Sequence, residues 1–307
     1  MKKVTRRQFL KLQAGSLAWL AGTSLFIPST VLATEKYPDI AVVSGGIENA
    51  VRKSVEVLGG MSAFVKSGDR VVIKPNMSFA SRPENAANTH PLVVKTIAAM
   101  CKEAGASRIL VLDNPLAPAR QCLELSGIEA ACREIDRDMV HMVTAERRFS
   151  EVKIDKAHSL NKTDVMREVL ASDVLIAAPV AKSHSGAGVS LSMKGMMGLI
   201  YNRRIMHQLD LHSAITDLAS LLKADLTVID ATRVLSSGGP GGPGNVLTPD
   251  TIIASRDMVA ADAYTISAFE WYGQKYTPDQ VKHVRLAHER GLGRMDIQNL
   301  EITKISV

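Results

Sequence analysis

Apolar residues in this chain fall in short unbroken runs rather than in strict alternation. Ile40–Val43, Arg70–Lys74, Arg108–Asp113 and Asp173–Ala178 read as strands buried on both faces. Between them the pattern changes to helical spacing. Ile47–Leu58 stops at Gly59-Gly60, and Pro91–Ala104 has proline in its first turn and Gly105 past its end. Helical segments are also predicted from Ala119 to Ile135, from Thr163-Asp164 to Leu170, and from Met258 to Trp271. Two more run from an Asp210 cap to Leu222 and from Pro278 to Arg290. Val140–Val143 and Phe149–Ile154 are expected as strands flanking the polar turn at Glu146–Arg148, with others at Leu226–Asp230, Thr251–Ala254 and Leu300–Ile305. This rhythm predicts an α/β fold, a mostly parallel β-sheet flanked by helices, as one body or two intimate lobes. The run Ser236–Gly244, dense in Gly and Pro, is expected as a mobile loop over a site.

Residues 1–33 follow a different logic. Thr5-Arg6-Arg7-Gln8-Phe9-Leu10-Lys11 resembles a twin-arginine export signal, and a mildly apolar stretch, Leu12 to Ile27, leads to a small-residue cleavage site at Val31-Leu32-Ala33. The expectation is passage through the twin-arginine translocase, a periplasmic or otherwise exported location, and no stable membrane anchor after cleavage. Residues 34–307 then form a single α/β domain. Five of the 37 basic residues lie in the first 33, and the other 32 nearly balance 31 acids, so the mature body is close to neutral and no nucleic-acid partner is expected. Cys101, Cys122 and Cys132 form no C-x-x-C pair, which argues against an iron–sulfur cluster or structural zinc and leaves one disulfide open after export.

In open α/β sheets ligands collect beyond the carboxyl ends of the strands. The residues there include Lys74 and Asn76, then Asn88, Thr89 and His90, then Asp113, then Lys182, His184, Ser190 and Lys194, then Asp230. No acid occurs between Asp173 and Asp210, while Lys182, Lys194, Arg203 and Arg204 do, with His184 and His207. Such a cluster repels itself unless solvated, paired or neutralised by a bound anion. The segment after the buried strand is therefore read as an anion-recognition loop, where Gly186 and Gly188 allow close backbone approach. The binding candidates are Lys74, Asn76, Asn88, Thr89, Lys182, Ser190, Lys194, His212 and Asp230. The catalytic candidates are His184 and His90 for proton transfer and Asp113 for orienting a histidine. Thr89 is alternatively a cap for the helix from Pro91. Asp217 and Asp262, inside predicted helices, are expected as surface or capping charges. No metal-ligand set is nominated. No G-x-G-x-x-G follows the first strand, and the glycine run lacks Lys-Ser/Thr, so neither a dinucleotide fingerprint nor a P-loop is present.

Several stretches in order carry a family resemblance: Ile73-Lys-Pro-Asn76, Asn88-Thr-His-Pro91, Pro179-Val-Ala-Lys-Ser-His184, Met193-Lys-Gly-Met-Met-Gly198, and Asp230 with Gly238-Gly-Pro240. From about Tyr37 to Asp262 the chain resembles the domain of unknown function 362 family. Members that look like iron–sulfur proteins owe it to appended cysteine motifs, which this chain lacks, and the family supplies no catalytic residue to carry over. The Lys-Pro-Asn and Thr-His-Pro layout is also similar to that of lactate racemases. The expectation is an exported enzyme acting on a small anionic substrate or cofactor, the cofactor being unknown. The alternative is a non-catalytic cofactor-binding or redox-accessory protein.

Overall fold

The computed structural model describes residues 37–307, so the twin-arginine segment at 1–33 lies outside the described residues. The strands are β1 Ile40–Ser44, β2 Arg70–Pro75, β3 Arg108–Asp113, β4 Val140–Met142, β5 Phe149–Lys153, β6 Lys162–Met166, β7 Val174–Ala178, β8 Val180–His184, β9 Gly188–Ser190, β10 Leu226–Leu235, β11 Val246–Leu247, β12 Thr251–Ser255, β13 Glu270–Trp271, β14 Gln274–Lys275 and β15 Ile302–Ser306. The α-helices are α1 Ile47–Val57, α2 Pro91–Glu103, α3 Ala119–Ser126, α4 Ile128–Cys132, α5 Arg167–Ala171, α6 Ser192–Gly195, α7 Leu211–Leu221, α8 Met258–Ala268 and α9 Lys282–Glu289. None is long and apolar enough to cross a membrane among the described residues.

The main sheet runs in the order β15-β1-β12-β10-β7-β2-β3-β4. Along it β12 is antiparallel to both neighbours, and the other pairs are parallel. Unbroken apolar runs follow from the layering. On β7, Leu175 and Ala177 enter one core while Val174, Ile176 and Ala178 enter the other. The first core holds the apolar faces of α7, α8 and α9, and the second those of α1, α2 and α4. Parallel β2, β3 and β7 therefore end side by side, on the edge where the sequence gathers its polar residues.

Several elements depart from their sequence pattern. Lys162–Met166 is a strand paired antiparallel with β5, not the start of a helix, because Thr163 and Val165 face inward on alternate positions. Strands β4 and β5 do not flank a common turn in one sheet: β4 pairs with β3 and β5 with β6. The helical stretch after Ala119 is split at Gly127, at φ 70°. The expected recognition loop after β7 is the hairpin β8–β9, whose first strand also pairs with the extended end of β10. Asp217 and Asp262 are not surface charges. Asp217 is fully buried, accepts the N–H groups of His158, Ser159 and Leu160, and pairs with Arg290 at 2.6 Å. All three cysteines are buried and free, without a disulfide.

Candidate functional site

Register places the key side chains. Ile73 lies opposite Val111, so Lys74 and Asp113 sit at adjacent strand ends, where Lys74 Nζ meets Asp113 Oδ1 at 3.3 Å with both side chains buried. Lys74 also donates to the carbonyl of Pro75. On β8 the two-residue period puts Lys182 and His184 on one face, with Ser190 opposite Lys182 on β9. Lys182 Nζ donates to the Ala87 carbonyl at 2.6 Å and lies 4.7 Å from the Phe79 ring centroid, a cation–π contact. The short helix α6 brings Lys194. Its first N–H groups, Ser192 at 2.9 Å and Met193 at 3.0 Å, are accepted by Asp262 from α8, which also takes the Ser192 hydroxyl at 2.6 Å.

These side chains surround one cavity of about 140 Å³. It is lined by Lys74, Lys182, Lys194, Arg203, Arg204, His184 and His207, with Asn76, Ser78 and Ser190, and with Phe79, Leu116, Met197 and Pro240 on the apolar side. No carboxylate lines it among the described residues. The electrostatics follow from that imbalance. Burial lowers Lys74 despite the opposing pull of Asp113. Burial and then the charge of Lys194 push Lys182 well down. Burial, followed by the nearby Arg203 guanidinium, brings Lys194 to about 7. Arg203 is itself lowered by burial, and so is His207, with Lys194 adding to the latter.

His184 has a defined tautomer. Its Nδ1 accepts the N–H groups of Gly186 and Ala187, each at 3.1 Å, so the ring proton sits on Nε2. Burial and three neighbouring basic groups, Lys194 first, hold its pKa at about 3. His184 thus presents a neutral Nε2–H to the cavity. His207 stacks on it with centroids 6.3 Å apart.

The other expected site residues are placed as follows. Asn76 lines the cavity with Oδ1 committed to the Val180 N–H at 3.0 Å. Asn88 holds the loop by donating to Phe79 and Ser81 carbonyls, both at 2.9 Å. Thr89 donates to the Ala178 carbonyl at 2.7 Å and so does not cap α2. His90 does, through Nδ1 and the Leu92 N–H, outside the cavity. Asp113 stands behind Lys74 and accepts from Met77 N–H, Ser78 Oγ and Asn114 N–H, orienting no histidine. Asp230 accepts the His90 backbone N–H and pairs with Arg233, away from the cavity. His212 also lies elsewhere, its Nδ1 3.3 Å from that of His283.

Arg203, Arg204 and His207 were visible as charge without being nominated. Asp262 had a signal too: a lone carboxylate in a helix of otherwise uncharged residues, MVAADAYTISA, has to be buried with partners. Gly198 is a positional requirement. A Cβ there would strike Asp113 Oδ1 and come within 2.8 Å of Lys74 Nζ. Gly198→Ala is expected to cost about 1–3 kcal/mol, as overpacking does, and to weaken ligand binding with it. Thermal unfolding of the variant with and without an anion is the check.

The sequence profile of the domain of unknown function family DUF362 matches residues 71–267, more than half of the chain. The chain belongs to the DUF362 family. The matched span contains the strand ends, the hairpin and the helix that carry the cavity cations. A thylakoid-associated protein of Synechocystis sp. is 27% identical to this DUF362 chain over 229 residues, covering 71% of this chain and 68% of its own. Among solved structures, the lactate racemase apoprotein from Thermoanaerobacterium thermosaccharolyticum superposes with a TM-score of 0.44 at 13% identity, over 71% of this chain and 54% of that one. A protein from Thermotoga maritima gives a TM-score of 0.41 at 13% identity, over 61% and 51%. The chain thus spans about half the length of each of these two solved structures.

Proposed function

We propose that this DUF362 protein is an exported enzyme that binds a small organic anion beyond the carboxyl ends of β2, β3 and β7 and moves a proton on it. One observation carries the reading: Lys74, Lys182, Lys194 and Arg203 converge on one cavity that no carboxylate lines among the described residues. Asp113 forms an ion pair with Lys74, and its charge is also felt by Lys182 and Arg203, so one carboxylate is set against four cations. An anion supplies the missing negative charge where water is largely excluded and Coulomb energies are large. Lys182 and Arg203 hold it. His184 Nε2–H and Ser190 Oγ hydrogen-bond to it, and Phe79 and Pro240 limit solvent. Lys194 exchanges the proton, since it is the cavity group balanced nearest neutral pH. Export rests on the Thr5–Lys11 motif and the Val31–Ala33 cleavage site.

Native mass spectrometry of the chain purified from its host reads both points. A bound anion that leaves on unfolding and an N-terminus just after Ala33 are expected. An intact leader would end the export reading. Anion binding of unchanged strength in a Lys182→Ala, Arg203→Ala double variant would end the site reading.

A further inference from the structure

The buried cations of the cavity are not equivalent. Lys74 is paired with Asp113, Lys182 donates to Ala87, and Arg203 donates to the carbonyl of Asn114. Lys194 is only 8% exposed, lines the same cavity, and makes no hydrogen bond or ion pair among the described residues. Its helix is held from behind by Asp262, which fixes where the amine points without touching it. A buried ammonium with no partner is costly, whereas the free amine is cheap and keeps its lone pair.

We propose that Lys194 is a nucleophilic amine that forms an imine with the carbonyl carbon of a short-chain oxo acid held in the cavity. The proposal rests on the anion-site reading and names its substrate class. Desolvation beside other cations is the arrangement that activates a lysine for this chemistry, and a pKa of about 7 leaves much of Lys194 as free amine at neutral pH. The Lys194 lone pair attacks the carbonyl carbon. The C–N bond forms as the C–O π bond opens, and one N–H proton passes to that oxygen to give a carbinolamine. The nitrogen lone pair then expels the hydroxyl, which takes one proton from solvent water and leaves as water, and a protonated iminium remains. Addition of water reverses each step, and no oxidant or reductant enters. Ser190 and His184 Nε2–H are the donors available to the carbonyl oxygen, and the substrate carboxylate faces Lys182 and Arg203. Phe79, Met197 and Pro240 restrict the water that would hydrolyse the iminium. A cavity of about 140 Å³ suits an acid the size of pyruvate or acetoacetate.

Borohydride reduction in the presence of pyruvate or acetoacetate, followed by peptide mass mapping, tests this. The expected result is one secondary-amine adduct, on Lys194, lost in Lys194→Arg, with a trapping rate that climbs as pH rises through about 7. Adducts spread over surface lysines, or unchanged in Lys194→Arg, overturn the proposal. So does absence of any adduct while pyruvate still raises the melting temperature, an outcome that leaves the anion site standing. Absence of both adduct and thermal shift removes the anion site as well.

Discussion

Lys194→Met is expected to raise the melting temperature of the ligand-free protein and to reduce the stabilisation an added oxo acid confers. A buried charge without a partner penalises the fold, and an apolar side chain of similar length in its place removes that penalty. The sign of the pH dependence follows from the same group. Folded Lys194 loses its proton near 7, the unfolded residue near its ordinary value of 10.5. Between those values the unfolded state binds more protons, so stability increases with pH. The penalty is complete below about 7 and is removed progressively above it. Lys74 and Lys182, also lowered, act in the same direction. Asp262, raised to about 7 mainly by burial, is still half protonated in the folded state where this window opens, so it opposes the gain there and drops out about one unit higher. The buried thiols of Cys101 and Cys132, raised by desolvation, oppose the trend above their ordinary value of 9.0, which closes it. Differential scanning calorimetry should therefore show the wild type gaining stability from about pH 8 to 9, above the Asp262 titration, and Lys194→Met changing less. A Lys194→Met protein that melts lower than wild type would mean that the lysine is compensated after all.

Asp113→Ala is expected to act in the opposite sense and more strongly. It removes the counter-charge of Lys74 and leaves the Met77 N–H, Ser78 hydroxyl and Asn114 N–H without their acceptor. Breaking a buried pair from one side costs about 3–5 kcal/mol. A Lys74→Met, Asp113→Ala double variant should recover part of that loss, because it removes the stranded charge along with its partner. Urea unfolding of the four proteins of the cycle measures the coupling. Strict additivity would show that the two side chains do not depend on one another.

The architecture was legible where apolar runs were long enough to be buried on both faces: β2, β3 and β7, with α1 before β2 and α2 between β2 and β3, follow their sequence pattern closely. From these the strand-end position of Lys74 and Asp113 follows directly. The hairpin β8–β9 was hidden for a physical reason. Lys182 and His184 alternate with Ala181 and Ser183 as the residues of a solvent-facing strand would, and sequence cannot tell a wet surface from a cavity inside the fold. Thr89 misled in another way. Its type suits a helix cap, but Ala178 claims its hydroxyl, and the less usual His90 takes the role. The segment Lys162–Met166 carries a helix-opening signature that pairing with β5 overrides. Asp230 was drawn into the site by its place after a strand, and His212 by residue type. Each instead serves packing between elements, which only the three-dimensional arrangement reveals.

The cavity wall is assembled from stretches far apart along the chain, running from Lys74 through Lys182 and Lys194 to Pro240. No single stretch of the polypeptide carries the whole wall, so the cavity exists only once β2, the β8–β9 hairpin and the loop that bears Pro240 have come together.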